Sequence, residues 1–496
     1  MPRRFSTLIR VSLAATGTLG LFVVACGDPS STAPVRVPFP ASHAAVRPSI
    51  GRYLVLVNPN GFGSDFADIV ASLGGSIEAV HNQTGFAVVS GLSAAGASQL
   101  GKLAGADVEP DVNISLGING IPQAEADASN VIAQSVLNPT TAALYSWQWN
   151  MRSIKANVAW ANGKLGDAGV TVAIIDSGLD YDDPDLNGLV DLARSTSFVA
   201  SDNALRATYF PTRNDISDFN GHGTNVAEQV SSKAVVLAAV TSKTTLIGVK
   251  VLDRTGVGPI GTVLTGILWA ADHGADVANL SLGGSFSKAG LGTLVSIINR
   301  VFNYANQKGM LIVVAAGNDA ANLDTNGNST DFCDAPHAVC VSSVGPALGS
   351  QIGTPAQDMP AFYTNFGRSV ISVASPGGNA NPVNNGFTVS AWPWGNDIAS
   401  WVWSFCSKTS IAGLTSGGAP ILTSCAAGNR LSGYIGTSEA TAHVSGLAAL
   451  LVADHGRNNP SVISQLIASS ADPILGQGVN PFFGAGRINV ARALGY

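Results

Sequence analysis

At 496 residues, 46% hydrophobic and only 12% charged, the chain is long enough for more than one domain and apolar enough for a deeply packed α/β core. That composition, with 56 glycines, excludes a disordered chain and a long coiled coil. A formal net charge of −6 and the lack of any basic run argue against nucleic acid as a partner.

Arg3, Arg4 and Arg10 precede an apolar run from Val11 to Ala25. The run is too short, and too interrupted by Gly and Thr, for a membrane span, and residues 1–25 read as a secretory signal. Its end, Val23-Val24-Ala25-Cys26, resembles the lipobox of bacterial lipoproteins. That resemblance implies that Cys26 is lipidated and becomes the new N-terminus; an ordinary signal with an incidental cysteine is the other reading. Membrane contact is expected only through this lipid. With Cys26 set aside, Cys333, Cys340, Cys406 and Cys425 form an even set. Three pairings are possible, and proximity in the chain favours 333–340 and 406–425. No spacing suits zinc, and no cofactor is expected.

Residues 26–49, rich in Pro, Ser and Ala, form a flexible tether. A small unit follows over 50–116. Tyr53–Val57 reads as a strand. Ser64 can cap a helix that places Phe66, Ile69, Val70 and Leu73 on one face, closed by Gly74-Gly75. Ser76–Val80 and Phe86–Val89 read as strands around a turn at Asn82, Ser93–Leu103 as a second helix, and Asp107–Val112 as a last strand. The order βαββαβ predicts a small α+β domain of ferredoxin-like type. Gly85-Phe86-Ala87-Val88 and Val108-Glu109-Pro110-Asp111 make it similar to the inhibitor-type propeptides of subtilisin-like proteases. A small binding domain unrelated to proteolysis is the alternative. Residues 117–143 are polar and aperiodic and are expected to be an exposed processing linker.

Over 144–496 the pattern alternates. Val170–Ile175, Leu246–Leu252, Asp276–Leu282, Met310–Ala315, Val339–Val344 and Val370–Ala374 read as buried strands. Thr262–His273, Leu291–Asn306 and the stretch after Ser438 read as helices, the last apolar nearly all round and hence central. Strand–helix alternation predicts a doubly wound parallel sheet, with its site at the carboxyl ends of the strands. The pattern runs out near Gly484–Asn489, so no further C-terminal domain is expected.

Hydrolysis of an amide needs a nucleophile, a base, a carboxylate that orients the base, and donors for the oxyanion. Asp176 ends the strand Val170–Ile175. His222 lies between Gly221 and Gly223, which let other backbone come close. His43, His81, His273, His337, His443 and His455 have no such setting and are read as structural. Asn318 follows Val313-Val314-Ala315-Ala316-Gly317 at a strand end. Ser438, in Gly436-Thr437-Ser438, stands where a helix begins and unpaired N–H groups favour negative charge. Each alone reads as a cap or a turn residue.

Together these four segments resemble the subtilisin-like serine proteases, and the order Asp, His, Ser is the one already known for that family. The resemblance implies that Ser438 attacks the scissile carbonyl, His222 carries the proton, and Asp176 orients the imidazole. It implies that Asn318 and the Ser438 N–H bind the oxyanion. It further implies that Ser281, Leu282 and Gly283 pair with extended substrate, and that Ala315, Ala316 and Gly317 wall the main specificity pocket. The expected activity is an exported endopeptidase, made as an autoprocessed zymogen and inhibited by its own propeptide, acting on proteins or peptides. Three places depart from the family motifs. Ser-Met-Ala-Thr-Pro-His reads Ser438-Glu439-Ala440-Thr441-Ala442-His443; Gly-Thr-His-Val-Ala-Gly reads Gly223-Thr224-Asn225-Val226-Ala227-Glu228; and His-Pro-Asp-Leu reads Asp183-Pro184-Asp185-Leu186. An ionised Glu439 would favour the His222 imidazolium. The family's calcium loop is not recognisable in Ser231–Thr245, so calcium is left open with no site identified. A catalytically silent, peptide-binding relative is the second reading. The Asn379–Gly428 region, rich in Trp, is expected to roof or flank the pocket.

Overall fold

The computed structural model describes residues 48–116, 124–127, 138–283, 285–286, 292–325, 329–330, 332–346, 349–379, 398–457, 459–474 and 479–496. The signal, Cys26, the tether and most of the 117–143 linker lie outside the described residues.

The small unit comprises β1 (Pro48–Leu56), α1 (Phe66–Ser72), β2 (Ser76–His81), β3 (Phe86–Ser90), α2 (Ala94–Ala104) and β4 (Asp107–Ser115). Its strands run antiparallel in the order β2-β3-β1-β4, the ferredoxin-like arrangement expected from βαββαβ. Because successive strand residues point to opposite faces, the sheet has two apolar sides. Val55, Ala87 and Val89 pack on Phe66, Val70 and Leu100 of its own helices. Leu54, Leu56, Phe86 and Val88 join the core of the larger domain instead. Ser93 caps α2, accepting from Gly96 N at 3.1 Å. The expected Ser64 cap is not made: Asp65, already in near-helical backbone, occupies the N-cap of α1 and offers no side-chain bond.

A short strand, β5 (Ala124–Asp127), lies within the expected linker. The larger domain then runs α3 (Trp149–Ser153), α4 (Ala156–Ala161), β6 (Thr171–Asp176), β7 (Thr196–Ser197), α5 (Ala200–Tyr209), α6 (His222–Val230), β8 (Thr245–Lys250), β9 (Val257–Pro259), α7 (Ile260–Asp272), β10 (Val277–Leu280) and β11 (Ser285–Phe286). It continues through α8 (Gly292–Gln307), β12 (Leu311–Ala315), β13 (Ser329–Thr330), β14 (Ala338–Val344), β15 (Val373–Pro376), β16 (Val402–Phe405), β17 (Ile411–Leu414), β18 (Pro420–Leu422) and β19 (Arg430–Tyr434). Three helices close it: α9 (Thr437–His455), α10 (Pro460–Ser469) and α11 (Val490–Ala493).

Seven strands form one parallel sheet in the order β15-β14-β12-β10-β6-β8-β7. In β6, Ala173 and Ile175 face the core made with α7 and α8. Val172 and Ile174 face the opposite core, made with α6, α9 and α10. Both faces are covered, so the fold is the expected doubly wound α/β sheet. Helix α9 is buried from Thr437 to Val452, as an all-round apolar helix must be.

The small domain sits on α7 and α8. Asp111 accepts from Gly261 N at 3.0 Å, capping the first turn of α7 from another domain, while Arg52 pairs with Asp111 and donates to Thr262 Oγ1 at 2.9 Å. Arg300 of α8 donates to the Thr84 carbonyl at 3.0 Å. A second, three-stranded sheet has the order β16-β19-β5, so part of the expected linker is built into the larger domain. Its Trp401, Trp403, Phe405, Leu431 and Ala126 form a separate core with Tyr363 and Leu237. Cys333 is bonded to Cys340 and Cys406 to Cys425, the pairing that proximity favours.

Candidate active site

Asp176 is the last residue of β6 and His222 the first of α6. His222 Nδ1 lies 2.9 and 3.0 Å from the two Asp176 carboxylate oxygens, and both residues are buried. Asp218 holds this junction together. Its carboxylate accepts from the N–H groups of Gly221 (2.8 Å) and Thr224 (2.9 Å), serving the otherwise open N-terminus of α6, and from Ser177 Oγ (3.0 Å) beside Asp176. A Cβ on Gly223 would stand 2.1 Å from the Gly178 carbonyl oxygen, so only glycine lets the loop after Asp176 close on the helix. The Asp218 role is missing from the sequence reading. An aspartate three residues before a glycine that opens a helix was the available signal.

Ser438 is the second residue of α9, whose N-cap Gly436 contributes no side-chain bond. Ser438 Oγ donates to the Ser281 carbonyl at 3.1 Å, and Ser281 Oγ returns a bond to the Ser438 carbonyl at 2.8 Å. Among the described residues His222 Nε2 has no hydrogen-bond partner, so that nitrogen is free to accept a proton. Asn318 follows β12 and is fixed by Thr437, whose backbone N–H and Oγ1 both donate to Asn318 Oδ1 at 2.9 Å. Gly317 N in turn donates to Thr437 Oγ1 at 3.2 Å. Spending Oδ1 on Thr437 leaves the amide Nδ2 to donate elsewhere. A point one Cβ bond out from Gly436 lies 3.6 Å from Ser438 N and 3.7 Å from Asn318 Nδ2. Two nitrogen donors therefore lie on the same side of Gly436 next to Ser438, the kind of donors an oxyanion needs. Sequence reading missed Thr437, although the Gly-Thr-Ser string contains it.

The charges around the base are unusual. Burial works against a charged His222, yet Asp176, with Glu439 and Asp218 behind it, holds the imidazole above its ordinary range. Burial pushes Glu439 up to about 7; His222 and its own backbone N–H pull the other way. His443 is buried and drops to about 4, its Nδ1 donating to the Glu439 carbonyl and its Nε2 accepting from Asn150, which fits a structural role.

The other departures from the family motifs meet one another. Asn225, Glu228 and Gln229 of α6 bind the added sheet: Asn225 Nδ2 donates to Ser404 Oγ (2.8 Å), Gln229 Nε2 donates to the Trp403 carbonyl (3.0 Å), and Glu228 accepts from Phe405 N (2.9 Å). Of the region expected to roof or flank the pocket, β16 packs on the helix that begins at His222, while residues 380–397 lie outside the described residues. Asp183 Oδ1 accepts from Asp185 N and Leu186 N. Asp183 Oδ2 and Glu228 Oε1 have no other donor, and the two side chains hydrogen-bond, so one proton shared between them satisfies both. Burial first, and neighbouring carboxylates second, push both groups well above the usual carboxylate range.

The segment Ser231–Thr245 does not fit a calcium ion. The N–H groups of Val235, Val236 and Leu237 converge on Asp185 at 2.7, 3.1 and 2.8 Å, where a cation would require carbonyl oxygens. Among the described residues no group of three or more His, Cys, Asp or Glu side chains is placed to hold a metal.

Of the residues expected to meet substrate, Ser281 is buried against Ser438 and Leu282 is part of the core, while Gly283 is half-buried with open space beside its Cα. Ala315 and Ala316 are buried, and Gly317, at φ +97°, has Asn365 Nδ2 2.5 Å from where a Cβ would stand. The nearest edge strand is already occupied: Asn113–Ser115 of β4 pair antiparallel with β9, and Leu116 N donates to the Gly256 carbonyl at 3.1 Å, close to Asn220. Ala124 pairs with Gly433, next to Tyr434, whose ring stands edge-on to His222 at 6.5 Å.

A model of the subtilase family matches residues 167–486. The thermophilic serine proteinase of Bacillus sp. (strain AK1) is 31% identical over 76% of this chain and 75% of its own length. Thermitase of Thermoactinomyces vulgaris is 31% identical over 71% of this chain and 97% of its own. Among solved structures, the epidermin leader peptide processing serine protease of Staphylococcus aureus has the same fold, with a TM-score of 0.65 at 21% identity over 89% of this chain and 97% of that one.

Proposed function

The chain belongs to the subtilase family of serine endopeptidases, and on that premise we propose that it is an exported peptidase acting through Asp176, His222 and Ser438 and made as a zymogen. The buried Asp176–His222 pair at 2.9 Å, with Ser438 at the start of α9, carries the reading. His222 Nε2 takes the Ser438 Oγ proton as Oγ bonds to the scissile carbonyl carbon. Asp176 fixes the proton on Nδ1 and balances the imidazolium. The oxyanion is received by Ser438 N–H and Asn318 Nδ2–H. Collapse breaks the C–N bond, His222 gives its proton to the leaving amine, and water then releases the acyl group by the same steps. Labelling by a fluorophosphonate, lost in Ser438→Ala, tests this. A folded chain that binds peptides but never labels would instead be the silent relative.

The small domain is proposed as propeptide and inhibitor. The support is that its last strand fills the edge of β9 and that its Asp111 caps α7. Leu116 lies close to Asn220, two residues before His222, and Ala124 pairs beside Tyr434, whose ring contacts His222, which favours autoprocessing between those two residues. A lipid on Cys26 would lie on the propeptide side of that cut. Maturation would then release soluble enzyme outside the cell. Catalytic domain that stays membrane-bound after the propeptide is degraded would rule this out.

A further inference from the structure

Glu439 follows Ser438 in the first turn of α9 and is only 1% exposed. Among the described residues no other residue donates a hydrogen bond to its carboxyl; only its own backbone N–H does. Its Oε2 lies 2.8 Å from the point one Cβ bond out from Gly436, which is itself 3.6 Å from Ser438 N and 3.7 Å from Asn318 Nδ2. The carboxyl thus stands beside the two donors assigned to the oxyanion. From other elements it faces His222 of α6, Asp176 of β6, and the phenol of Tyr363, itself pushed far up by burial. Asp218 stands behind His222, and His443 one turn along α9 is neutral.

We propose that the enzyme works with Glu439 as an uncharged acid, and that loss of this proton sets the alkaline limit of catalysis by placing negative charge beside the oxyanion. The proposal rests on the roles given above to Ser438, His222 and Asn318. A buried donor to the oxyanion is worth about 10²–10³ in rate, and a carboxylate at the same place works against it without dilution by solvent. Burial brings the Glu439 ionisation up to about 7, where it matters. The same charge favours the imidazolium, so Glu439 and His222 compete for one proton. The productive species has neutral His222 and protonated Glu439, and activity rises and falls within a narrow band of pH.

The test is the pH dependence of fluorophosphonate labelling and of peptide hydrolysis by the full-length chain, compared with Glu439→Gln and Glu439→Met. In the wild type both rates fall about tenfold per pH unit on the alkaline side, through kcat rather than KM, as for loss of one essential proton. In both variants the fall is absent up to pH values near 9, and the acidic limb moves to lower pH because the imidazolium has lost a negative neighbour. A wild-type rate that stays flat from pH 7 upward overturns the proposal, whether or not a variant folds. So does an alkaline fall that persists in either variant. Absence of labelling at every pH would bring down the assignment of Ser438 itself, a result unlike either of those.

Discussion

Glu228 on α6 and Asp183 on the loop after β6 share a proton in the protein interior, each at a position where the family motif carries a different residue. Glycine is replaced by glutamate on the helix and histidine by aspartate on the loop. Each carboxyl has one oxygen bonded to backbone N–H groups and one, Asp183 Oδ2 or Glu228 Oε1, left for the other to satisfy. Together they tie the helix of the base to the strand of its aspartate. Both are raised in the folded state, so their contribution is whole below the unfolded carboxylate range near pH 4 and is lost as pH climbs through the folded values. Measured in the Ser438→Ala background, which prevents self-digestion, Tm should fall by several degrees as pH is raised from about 4 upward. Glu228→Gln, whose amide donates without titrating, should remove much of that fall. Parallel Tm–pH curves would contradict the shared proton.

The oxyanion donors can be separated kinetically. Asn318→Ala should lower kcat about 10²–10³-fold with little change in KM. Thr437→Val keeps the backbone bond to Asn318 and removes the two hydroxyl bonds, to Asn318 and from Gly317 N, so a loss of about five- to tenfold in kcat is expected. An unchanged kcat in Thr437→Val would mean that the backbone bond alone orients the amide.

N-terminal sequencing of the mature enzyme should find its first residue after Leu116 and no later than Ala124. Ser438→Ala should remain full length after the signal. A mature chain that begins beyond Asp127 would show that β5 is not retained.

Asp111 is buried between the domains, and its bond to Gly261 N is one of several polar ties across that boundary, with Arg52–Thr262, His81–Asp272 and Arg300–Thr84. Asp111→Ala removes the partner of the Gly261 N–H at the start of α7 and one of three partners of Arg52, which keeps Glu78 and Thr262, a cost of about 1–3 kcal/mol, or roughly 5- to 150-fold in binding. The lag before activity appears should shorten accordingly. An unchanged lag would mean that the small domain does not hold the enzyme in check.

Periodicity in the sequence was enough for the doubly wound sheet, because β-branched runs such as Val170–Ile175 can only be strands covered on both faces. It also located the small domain, where alternating faces of Tyr53–Val57 and the Ser93 cap behave as local rules require. What stayed hidden depends on contacts distant in sequence. The spacing of Asp218 before Gly221 hints at a helix cap, but nothing local marks its bond to Ser177 beside Asp176. Asn225 and Glu228 looked like isolated oddities until β16 was seen packed against them. The linker read as exposed because four residues, Ala124–Asp127, carry no pattern of their own, and only their pairing with β19 makes them a strand.

That pairing has a practical side. With β5 absent, β19 would present a row of unsatisfied backbone N–H and C=O groups within a few residues of Gly436. Bare edges of this kind recruit whatever extended chain is nearby, including a second copy of the same protein. A catalytic unit expressed from residue 144 would carry such a vacancy next to its active site and tend to aggregate. The usable enzyme therefore starts no later than Ala124, some twenty residues earlier than the change in sequence pattern suggests.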